Sequence, residues 1–199
     1  VIIDETLTAT YNFIDAEDDA DNSTYQWFRA DDASGTNKTA ISGATGTTYT
    51  LTTDDAGKFI AFEVVPNDGT VNGTLQASSY MGAVAKKVPS LSLTDISKVY
   101  GDADFDLSAT TNSSGTVSYS FDNDATSSGI SGNRVTLGNA GTITVIINVA
   151  EDAEYQAREV TSTINVAKRT ITIEASNNSK IYGQADPTLN FTVTSGTII

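Results

Sequence analysis

The octapeptide SKVYGDAD at Ser97–Asp104 recurs as SKIYGQAD at Ser179–Asp186, an offset of 82 residues from position 97 to position 179. The segments upstream keep this offset without a gap, because VAKK at Val84–Lys87 realigns with VAKR at Val166–Arg169. Recurrence at a fixed spacing is the signature of tandem modules of equal size. We therefore predict a first module with a shortened N-terminal edge, a full second module and the beginning of a third, over residues 1–87, 88–169 and 170–199.

The charge balance limits the partners of this chain. Its 199 residues carry 11 basic and 25 acidic side chains, for a formal net charge of −14. An acidic chain is a poor ligand for nucleic acid or anionic lipid. No apolar run reaches the ~18 residues that a membrane-spanning helix needs. We therefore expect neither nucleic-acid binding nor membrane insertion.

The residue types argue against catalysis. There is no histidine and no cysteine, so the commonest general base and the thiol nucleophile are both missing. A carboxylate pair of the glycosidase type stays open, although no such pair stands out among the scattered acids. We expect this protein not to be an enzyme.

The first module reads as short strands separated by turns. Thr6–Phe13 alternates Leu7, Ala9 and Tyr11 with polar residues, which is the period of a half-buried strand. Further predicted strands are Tyr25–Arg29, Lys38–Ile41, Thr47–Thr52, Lys58–Val65 and Ser78–Ala85. No segment shows a helical period of useful length, so we predict an all-β fold.

The second module continues this pattern. The run TITVIINVA at Thr142–Ala150 is apolar on nearly every residue, which is typical of a central strand. Tyr155 is a candidate for the corner tyrosine of a sandwich. Lys87–Pro89 and Lys168–Thr170 leave almost no flexible residues between modules, so we predict an elongated, stiff array. The other predicted strands are Ser90–Thr94, Phe105–Thr110, Thr116–Phe121, Arg134–Leu137 and Arg158–Ala167.

Several residues of the first module resemble landmarks of the immunoglobulin-like β-sandwich. Trp27 stands where such folds bury a tryptophan, and DAGKF at Asp55–Phe59 resembles the D-x-G-x-Y motif, with phenylalanine in place of tyrosine. The resemblance places Ala9 and Ala61 at the positions of the two inter-sheet cysteines. It implies tandem immunoglobulin-like β-sandwich modules whose cores hold by packing, without a disulfide.

The repeated SK[VI]YGxAD opening, together with the segment Tyr25–Val64, resembles repeats from very large secreted surface proteins of Gram-negative bacteria. The family in question is the adhesins of Bacteroidetes, which include gliding-motility adhesins exported by the type IX secretion system. This resemblance implies an extracellular, bacterial cell-surface location and attachment rather than chemistry. It implies as partners the neighbouring repeat modules, surface glycans or abiotic surfaces, and other subunits of a surface filament.

An acidic loop of the first module is the best candidate for a chemical site. Alternating carboxylates on a short loop can converge on calcium, which takes about six to eight oxygen ligands. The loop is not an EF-hand, because Ala20 stands where that motif needs glycine. Two interpretations stay open, a calcium site or a solvated loop that keeps the module soluble. The candidate ligands are Asp15, Glu17, Asp19 and Asp21.

Three further candidates have plainer interpretations. The alternating acids of Asp102–Asp106 form a second cluster, which we interpret as solvated. Trp27 lies in mid-strand, so we expect it in the core rather than on a sugar-stacking surface. Tyr100 and Tyr182 open equivalent segments, and we expect them to pack at module junctions, with exposed sugar-binding rings as the alternative.

Three hypotheses of function follow from these patterns. The leading one is a structural and adhesive repeat segment of a long bacterial cell-surface protein, which serves as a stiff extension and attaches to surfaces in gliding or biofilm formation. The alternative is a non-catalytic spacer or carbohydrate-binding module of a secreted polysaccharide-degrading enzyme. The third is a fibre subunit, in which the open edge of the incomplete last module accepts a strand from another chain.

Overall fold

The chain is all-β in the computed structural model, which describes residues 1–196. Within that range the one helical element is a 3-10 turn at Thr53–Asp55, and no helix is long and apolar enough to cross a membrane. The predicted fold class is therefore confirmed. Two compact units are present, the first comprising Val1–Pro89, Ser113–Gly115 and Ala150–Arg158, and the second comprising Ser90–Asn112, Thr116–Val149 and the chain from Glu159 on.

The first unit contains six strands in two antiparallel sheets. One sheet has the order β3-β2-β5-β6, and the other pairs β1 with β4. The bounds are β1 (Thr6–Thr8), β2 (Thr24–Ala30), β3 (Thr39–Ala40), β4 (Thr48–Thr50), β5 (Phe59–Val65) and β6 (Gln76–Ala77).

The core of the first unit is centred on Trp27. Its ring centroid lies 5.0 Å from that of Phe62 on the neighbouring strand, and its Nε1 donates a hydrogen bond of 2.9 Å to the carbonyl oxygen of Gly46. A buried tryptophan normally satisfies its N–H in this way. The prediction that Trp27 belongs to the core is confirmed, since the residue is buried there.

The resemblance implied that Ala61 of strand β5 faces the core, but the opposite face of this strand does so. Ile60, Phe62 and Val64 point into the cluster around Trp27, so alternation places Ala61 on the opposite face of the sheet. Ala9 does pack against the core, as expected. The equivalence with an inter-sheet cysteine is therefore wrong for Ala61, because the larger apolar side chains occupy the inward positions.

Two predicted strands of the first unit are shorter than expected. The ladder of β1 ends at Thr8, although the N–H of Ala9 still donates 2.8 Å to the carbonyl oxygen of Thr47. The segment Ser78–Ala85 follows β5 only through single bridges, such as the one that joins Met81 to Ile60. Small residues dominate this segment, so little side-chain burial holds it in a continuous ladder.

In the part of the chain that the structure describes, the second unit contains eleven strands. The largest sheet has the order β11-β14-β15-β8, beside a three-stranded sheet β12-β13-β9 and two antiparallel two-stranded sheets, β7 with β10 and β16 with β17. The bounds are β7 (Leu91–Ser92), β8 (Ile96–Val99), β9 (Phe105–Asp106), β10 (Thr110–Thr111), β11 (Val117–Asp124), β12 (Gly129–Ser131), β13 (Arg134–Thr136), β14 (Gly141–Val149), β15 (Arg158–Ala167), β16 (Thr172–Ala175) and β17 (Phe191–Ser195).

Strand β14 is the centre of this unit, as its apolar sequence predicted. It lies between β11 and β15, and its alternate residues are buried in the core together with side chains from both sheets. These buried residues are Ile143, Val145, Ile147 and Val149.

Each unit contains a parallel contact between an early segment and a much later one. In the first unit Ile2 forms a parallel bridge with Ala85, supported by a bond of 3.1 Å from the N–H of Ile3 to the carbonyl oxygen of Ala85. In the second, β8 pairs in parallel with the end of β15, from Ile96 opposite Ile164 to Val99 opposite Ala167. These parallel contacts join segments that are far apart in the chain.

Candidate functional site

Two loops of the first unit meet at one place and form its best candidate for a binding surface. The first loop joins β1 to β2 and contains the acidic residues, and the second joins β5 to β6. The N–H of Asn22 donates a bond of 2.7 Å to the carbonyl oxygen of Asn67, so the loops touch directly. Between them lies a shallow concavity of about 170 Å³, lined by Phe13, Ile14, Asp15, Pro66, Asp68 and Val71, among others. We call this region the paired-loop surface.

The second of these loops is held by its own polar groups. The carboxylate of Asp68 accepts bonds of 2.7 and 2.6 Å from the N–H groups of Thr70 and Val71, and these bonds lower the pKa of Asp68. Gly69 adopts a φ of 95°, a left-handed conformation that suits glycine. The turn PNDG at residues 66–69 is therefore a well-fixed part of the surface.

The acidic loop uses two of its carboxylates for its own backbone. Asp15 accepts bonds from the N–H groups of Glu17 and Asp19, at 3.1 and 2.9 Å. Asp21 accepts from the N–H and hydroxyl of Ser23, at 2.9 and 2.5 Å, which lowers the pKa of Asp21. Both side chains thus act as turn-forming acceptors.

Of the four predicted calcium ligands, Asp15 and Asp21 therefore use their carboxylates as hydrogen-bond acceptors in turns. The other two, Glu17 and Asp19, donate their backbone N–H groups to Asp15. Within residues 1–196 no three acidic side chains gather in a group that could hold a metal ion. Asp68 lies on the same concavity as Asp15, whereas Asp31 pairs with Lys58 at 2.6 Å and Asp32 accepts bonds from Ser34 and Thr36.

A pair of tyrosines ties the acidic loop to the core. The hydroxyl of Tyr11 donates to Asp21 and lies 2.5 Å from the hydroxyl of Tyr25, whose ring stacks on Phe62. The hydrogen bond to Asp21, followed by that to Tyr25, raises the pKa of Tyr11 because both favour the neutral phenol. This network holds the start of the loop against β2.

The second acidic cluster already contains a cation. Arg134 lies beside two of its members, with Nη1 at 3.2 Å from Asp106 and Nε at 3.9 Å from Asp104. Asp102 accepts a bond of 2.9 Å from the N–H of Val99. These contacts agree with the interpretation of the cluster as a surface feature.

The corner of the first sandwich is closed by Asp55 of the motif together with three residues outside it, Tyr49, Thr52 and Arg29. Asp55 is fully buried and accepts bonds of 2.6 Å from the Tyr49 hydroxyl and 2.8 Å from the Thr52 N–H. Its other oxygen lies 2.9 Å from Nη2 of Arg29. Burial, and then the bond to Asp55, raises the pKa of Tyr49. Tyr49 thus supplies the hydroxyl that Phe59 lacks.

Sequence reasoning also missed Asp152. Its carboxylate accepts five bonds of 2.7 to 2.9 Å, from the N–H groups of Ser114, Glu154 and Tyr155 and from the hydroxyls of Ser113 and Ser114. These bonds hold its pKa well below the usual range. Ser113 and Ser114 lie 39 and 38 positions before Asp152. No spacing or motif in the sequence marks these two serines as its partners.

Lys87 gathers several contacts within the first unit. Its Nζ lies 2.6 Å from Asp4, pairs with Glu154, and stands 5.1 Å from the ring centroid of Tyr155. The hydrogen bond to Asp4, then that to Glu154, raises the pKa of Lys87. The predicted corner tyrosine, Tyr155, therefore lies beside Lys87.

The two equivalent tyrosines differ in exposure. Tyr100 is 37% exposed, and its N–H donates 2.8 Å to the carbonyl oxygen of Ala167. Tyr182 is fully exposed, so it is not packed at a junction in residues 1–196. The neighbouring lysines differ as well. Lys98 stands 4.4 Å from the ring centroid of Phe105, whereas Lys180 pairs with Asp186.

Comparisons with known proteins agree with the fold of the first unit. Residues 4–79 match the family model IG_AIR9, described as the AIR9 A9 domain. No curated protein matches. The first unit is an immunoglobulin-like module, and it belongs to an all-β chain.

Solved structures similar to this chain include two from Drosophila. Extracellular domains 3-5 of OTK match at 9% identity and a TM-score of 0.29, over 86% of this chain and 62% of that chain. N-cadherin EC1-3 matches at 19% identity and a TM-score of 0.32, over 74% of this chain and 56% of that one. The chain thus spans less than two thirds of either structure.

Proposed function

We propose that this chain is a load-bearing, non-catalytic spacer segment of a long extracellular protein, a bacterial cell-surface adhesin, and that it also carries weak attachment sites. The observation that carries the proposal is the parallel pairing of β8 with β15 in the second unit, together with the parallel bridge between Ile2 and Ala85 in the first. The immunoglobulin-like fold and the absence of histidine and cysteine from the sequence support a structural role.

The physical argument concerns the direction of force. Hydrogen bonds between strands run across the strands. When two parallel strands at opposite ends of a fold are pulled apart along their length, every bond between them is loaded in shear and all must yield together. In the second unit this ladder runs from Ile96–Val99 to the bond between Tyr100 and Ala167. Forced unfolding is governed by the unfolding rate. We expect that rate to be low here, because the bonds of the ladder must break together.

The paired-loop surface supports the attachment part of the proposal. Ile14 is 83% exposed and Val71 is 64% exposed, and both line the concavity beside Asp15 and Asp68. Exposed apolar side chains among fixed polar groups suit weak contacts with glycans or abiotic surfaces. Many such sites along a repeated chain add avidity.

Force spectroscopy on the full chain tests the load-bearing role. The variant Tyr100→Pro removes the N–H that bonds to Ala167, and we expect it to lower the unfolding force of the second unit. Tyr182→Pro makes the same change at the equivalent, fully exposed position, so it should leave every unfolding force unchanged. Equal forces in wild type and Tyr100→Pro would refute the proposal.

The alternative, a carbohydrate-binding module of a secreted enzyme, is favoured by one observation. The ring of Tyr182 is fully exposed, as is expected of a side chain that stacks on a sugar. Binding on a glycan array that Tyr182→Ala abolishes would favour this alternative, as would a catalytic domain in the same polypeptide.

A further inference from the structure

The connection between β14 and β15 is part of the first unit, although both strands belong to the second. Strand β14 ends at Val149 and β15 begins at Arg158, and the residues between them group with Val1–Pro89. We call Ala150–Arg158 the strap. It lies against Lys86–Pro89, which contains two adjacent lysines and which we call the dibasic segment.

Backbone hydrogen bonds hold the dibasic segment against the strap. The N–H of Lys87 donates 3.0 Å to the carbonyl oxygen of Glu154, and the carbonyl oxygen of Lys87 accepts 3.0 Å from the N–H of Gln156. Two residues further on, Nη1 of Arg158 donates 2.5 Å to the carbonyl oxygen of Pro89. The strap therefore occupies both polar groups of the Lys87 backbone.

The strap also binds the side chains of both lysines. Nζ of Lys86 lies 3.0 Å from the carboxylate of Glu151 and donates 2.5 Å to the carbonyl oxygen of Asp152. Nζ of Lys87 pairs with the carboxylate of Glu154. The two lysine side chains are 24% and 26% exposed. Their charged ends are thus engaged by the strap at the surface of the unit.

These bound groups are the ones that a trypsin-like protease needs. Such an enzyme holds a lysine side chain in a pocket that contains a carboxylate, and extended peptides are bound through their main-chain hydrogen bonds. Val88, on the other side of the peptide bond that follows Lys87, is 60% exposed. Contacts with the strap, rather than depth in the fold, therefore withhold this bond.

The second unit keeps the strap in place. Strands β14 and β15 are neighbours in one sheet, so the sheet fixes both ends of the strap. Their alternate residues are buried in the core of the second unit, as at Ile147 and Ile164. If this sheet unfolds, the strap must order itself from a flexible chain, at a cost in conformational entropy. The strap should then leave the dibasic segment.

We propose that the dibasic segment is a latent cleavage site for a trypsin-like protease, covered by the strap while the second unit is folded and uncovered when that unit unfolds. In the cleavage, water adds across the amide between Lys87 and Val88. The C–N bond breaks, the hydroxyl joins the carbonyl carbon of Lys87, and the proton joins the nitrogen of Val88. The proposal does not depend on the load-bearing role, since any cause of unfolding releases the strap.

Limited proteolysis of the full chain with trypsin tests the proposal. Mass spectrometry gives the initial rate of cleavage after Lys87, and a synthetic peptide of residues 82–93 is the uncovered reference. Ile147→Asp places a charge at a fully buried position of β14 and unfolds the second unit. We expect cleavage at least about tenfold faster than in wild type, because the cleavage rate follows the population of the open form. It should stay slower than in the peptide, because Ala85 keeps its backbone bonds to the start of the chain.

Two matched controls make the test specific. Thr142→Asp places the same charge at an exposed position of β14 and should keep the wild-type rate. Glu151→Gln with Glu154→Gln weakens the strap while both units stay folded, and we expect cleavage about threefold faster. Glu159→Gln with Glu174→Gln makes the same charge change at exposed acids outside the strap, so the rate should not change. The fluorescence of Trp27 reports in every variant that the core of the first unit is folded.

Four outcomes would overturn the proposal. Wild-type cleavage as fast as that of the peptide would show that the strap covers nothing. Unchanged cleavage in Ile147→Asp, with the second unit unfolded, would show that the strap holds without β14 and β15. Loss of the folded Trp27 signal in that variant would mean that the site opens only with the whole chain. Equal rates in the two glutamine double variants would show that the strap's carboxylates do not protect the lysines.

Discussion

At the scale of single residues, the first unit closes its corner with a substituted set of groups. Phe59 stands where the motif has tyrosine and therefore has no hydroxyl. The hydroxyl of Tyr49 on β4 donates a hydrogen bond to Asp55 instead. Arg29 on β2 supplies the countercharge at 2.9 Å. Asp55 therefore joins residues from three strands or turns at a fully buried point, which makes it a sensitive site for the stability of the unit.

We expect Asp55→Ala to destabilise the first unit by about 3–5 kcal/mol, because it leaves Arg29 without its buried partner. Asp54→Ala is the matched control. Its side chain is 80% exposed and lies 3.9 Å from Arg29, so the change should stay within about 0.5 kcal/mol. Urea denaturation followed by the fluorescence of Trp27, the chain's one tryptophan, measures both. Similar losses in the two variants would contradict this account of the corner.

At the scale of elements, the strands predicted best were those with one dominant signal. Strand β14 is apolar on nearly every residue, and β5 carries a strong alternation of large side chains. The same alternation could have corrected the position of Ala61, because Ile60, Phe62 and Val64 offer more apolar area to the core than alanine does. The length of β1 could not be read locally, since its end depends on bonds with a distant segment.

The acidic loop shows the limit of sequence reasoning about sites. Spacing correctly placed acidic residues on one loop, but it could not show that Asp15 and Asp21 turn toward backbone N–H groups. Those bonds depend on the path of the loop, including the left-handed conformation of Asp18, with a φ of 64°. Calcium binding here stays a prediction.

Because the ion must compete with these internal bonds, we expect weak calcium binding, with a dissociation constant on the order of 10⁻³ M. The melting temperature of the first unit should then rise in millimolar calcium and fall back with a chelator. The double variant Glu17→Gln with Asp19→Asn removes two carboxylates and keeps the bonds accepted by Asp15 and Asp21, so its melt should not respond. A wild-type melt that is unchanged by both calcium and chelator would remove the metal hypothesis.

At the scale of the whole molecule, the repeat was the most informative feature of the sequence. The 82-residue offset agrees with the matching strand pairs, Leu91 with Thr111 and Ile173 with Val193, and with the matching turns at Gly101 and Gly183. It could not anticipate the bonds from Ser113 and Ser114 to Asp152, because these residues lie 39 and 38 positions apart from it within the first unit. Long-range polar contacts of this kind leave no periodic trace in a sequence.

The dependence of stability on pH follows from groups spread over the molecule. Hydrogen bonds to hydroxyl and N–H donors, or to Lys58 in the case of Asp31, lower the pKa of six aspartates. For each, the folded state holds fewer protons than the unfolded state in acid, so the stabilisation is complete above the unfolded pKa of about 3.9 and is lost as the pH falls through the folded value. The six are Asp21, Asp31, Asp32, Asp68, Asp95 and Asp152.

The alkaline side has the opposite sign. Tyr11, Tyr49 and Lys87 have raised pKa values, so their stabilisation is complete below the unfolded values of about 10 and is lost as the pH rises through the folded ones. We therefore expect the urea midpoint to be level between about pH 5 and pH 9, to fall below about pH 4 and to fall again above about pH 10. Asp152→Asn should lower the midpoint at neutral pH and flatten the acid limb, because it removes one contributor to that limb. A midpoint that rises on acidification below about pH 4 would show that these carboxylate bonds do not stabilise the fold.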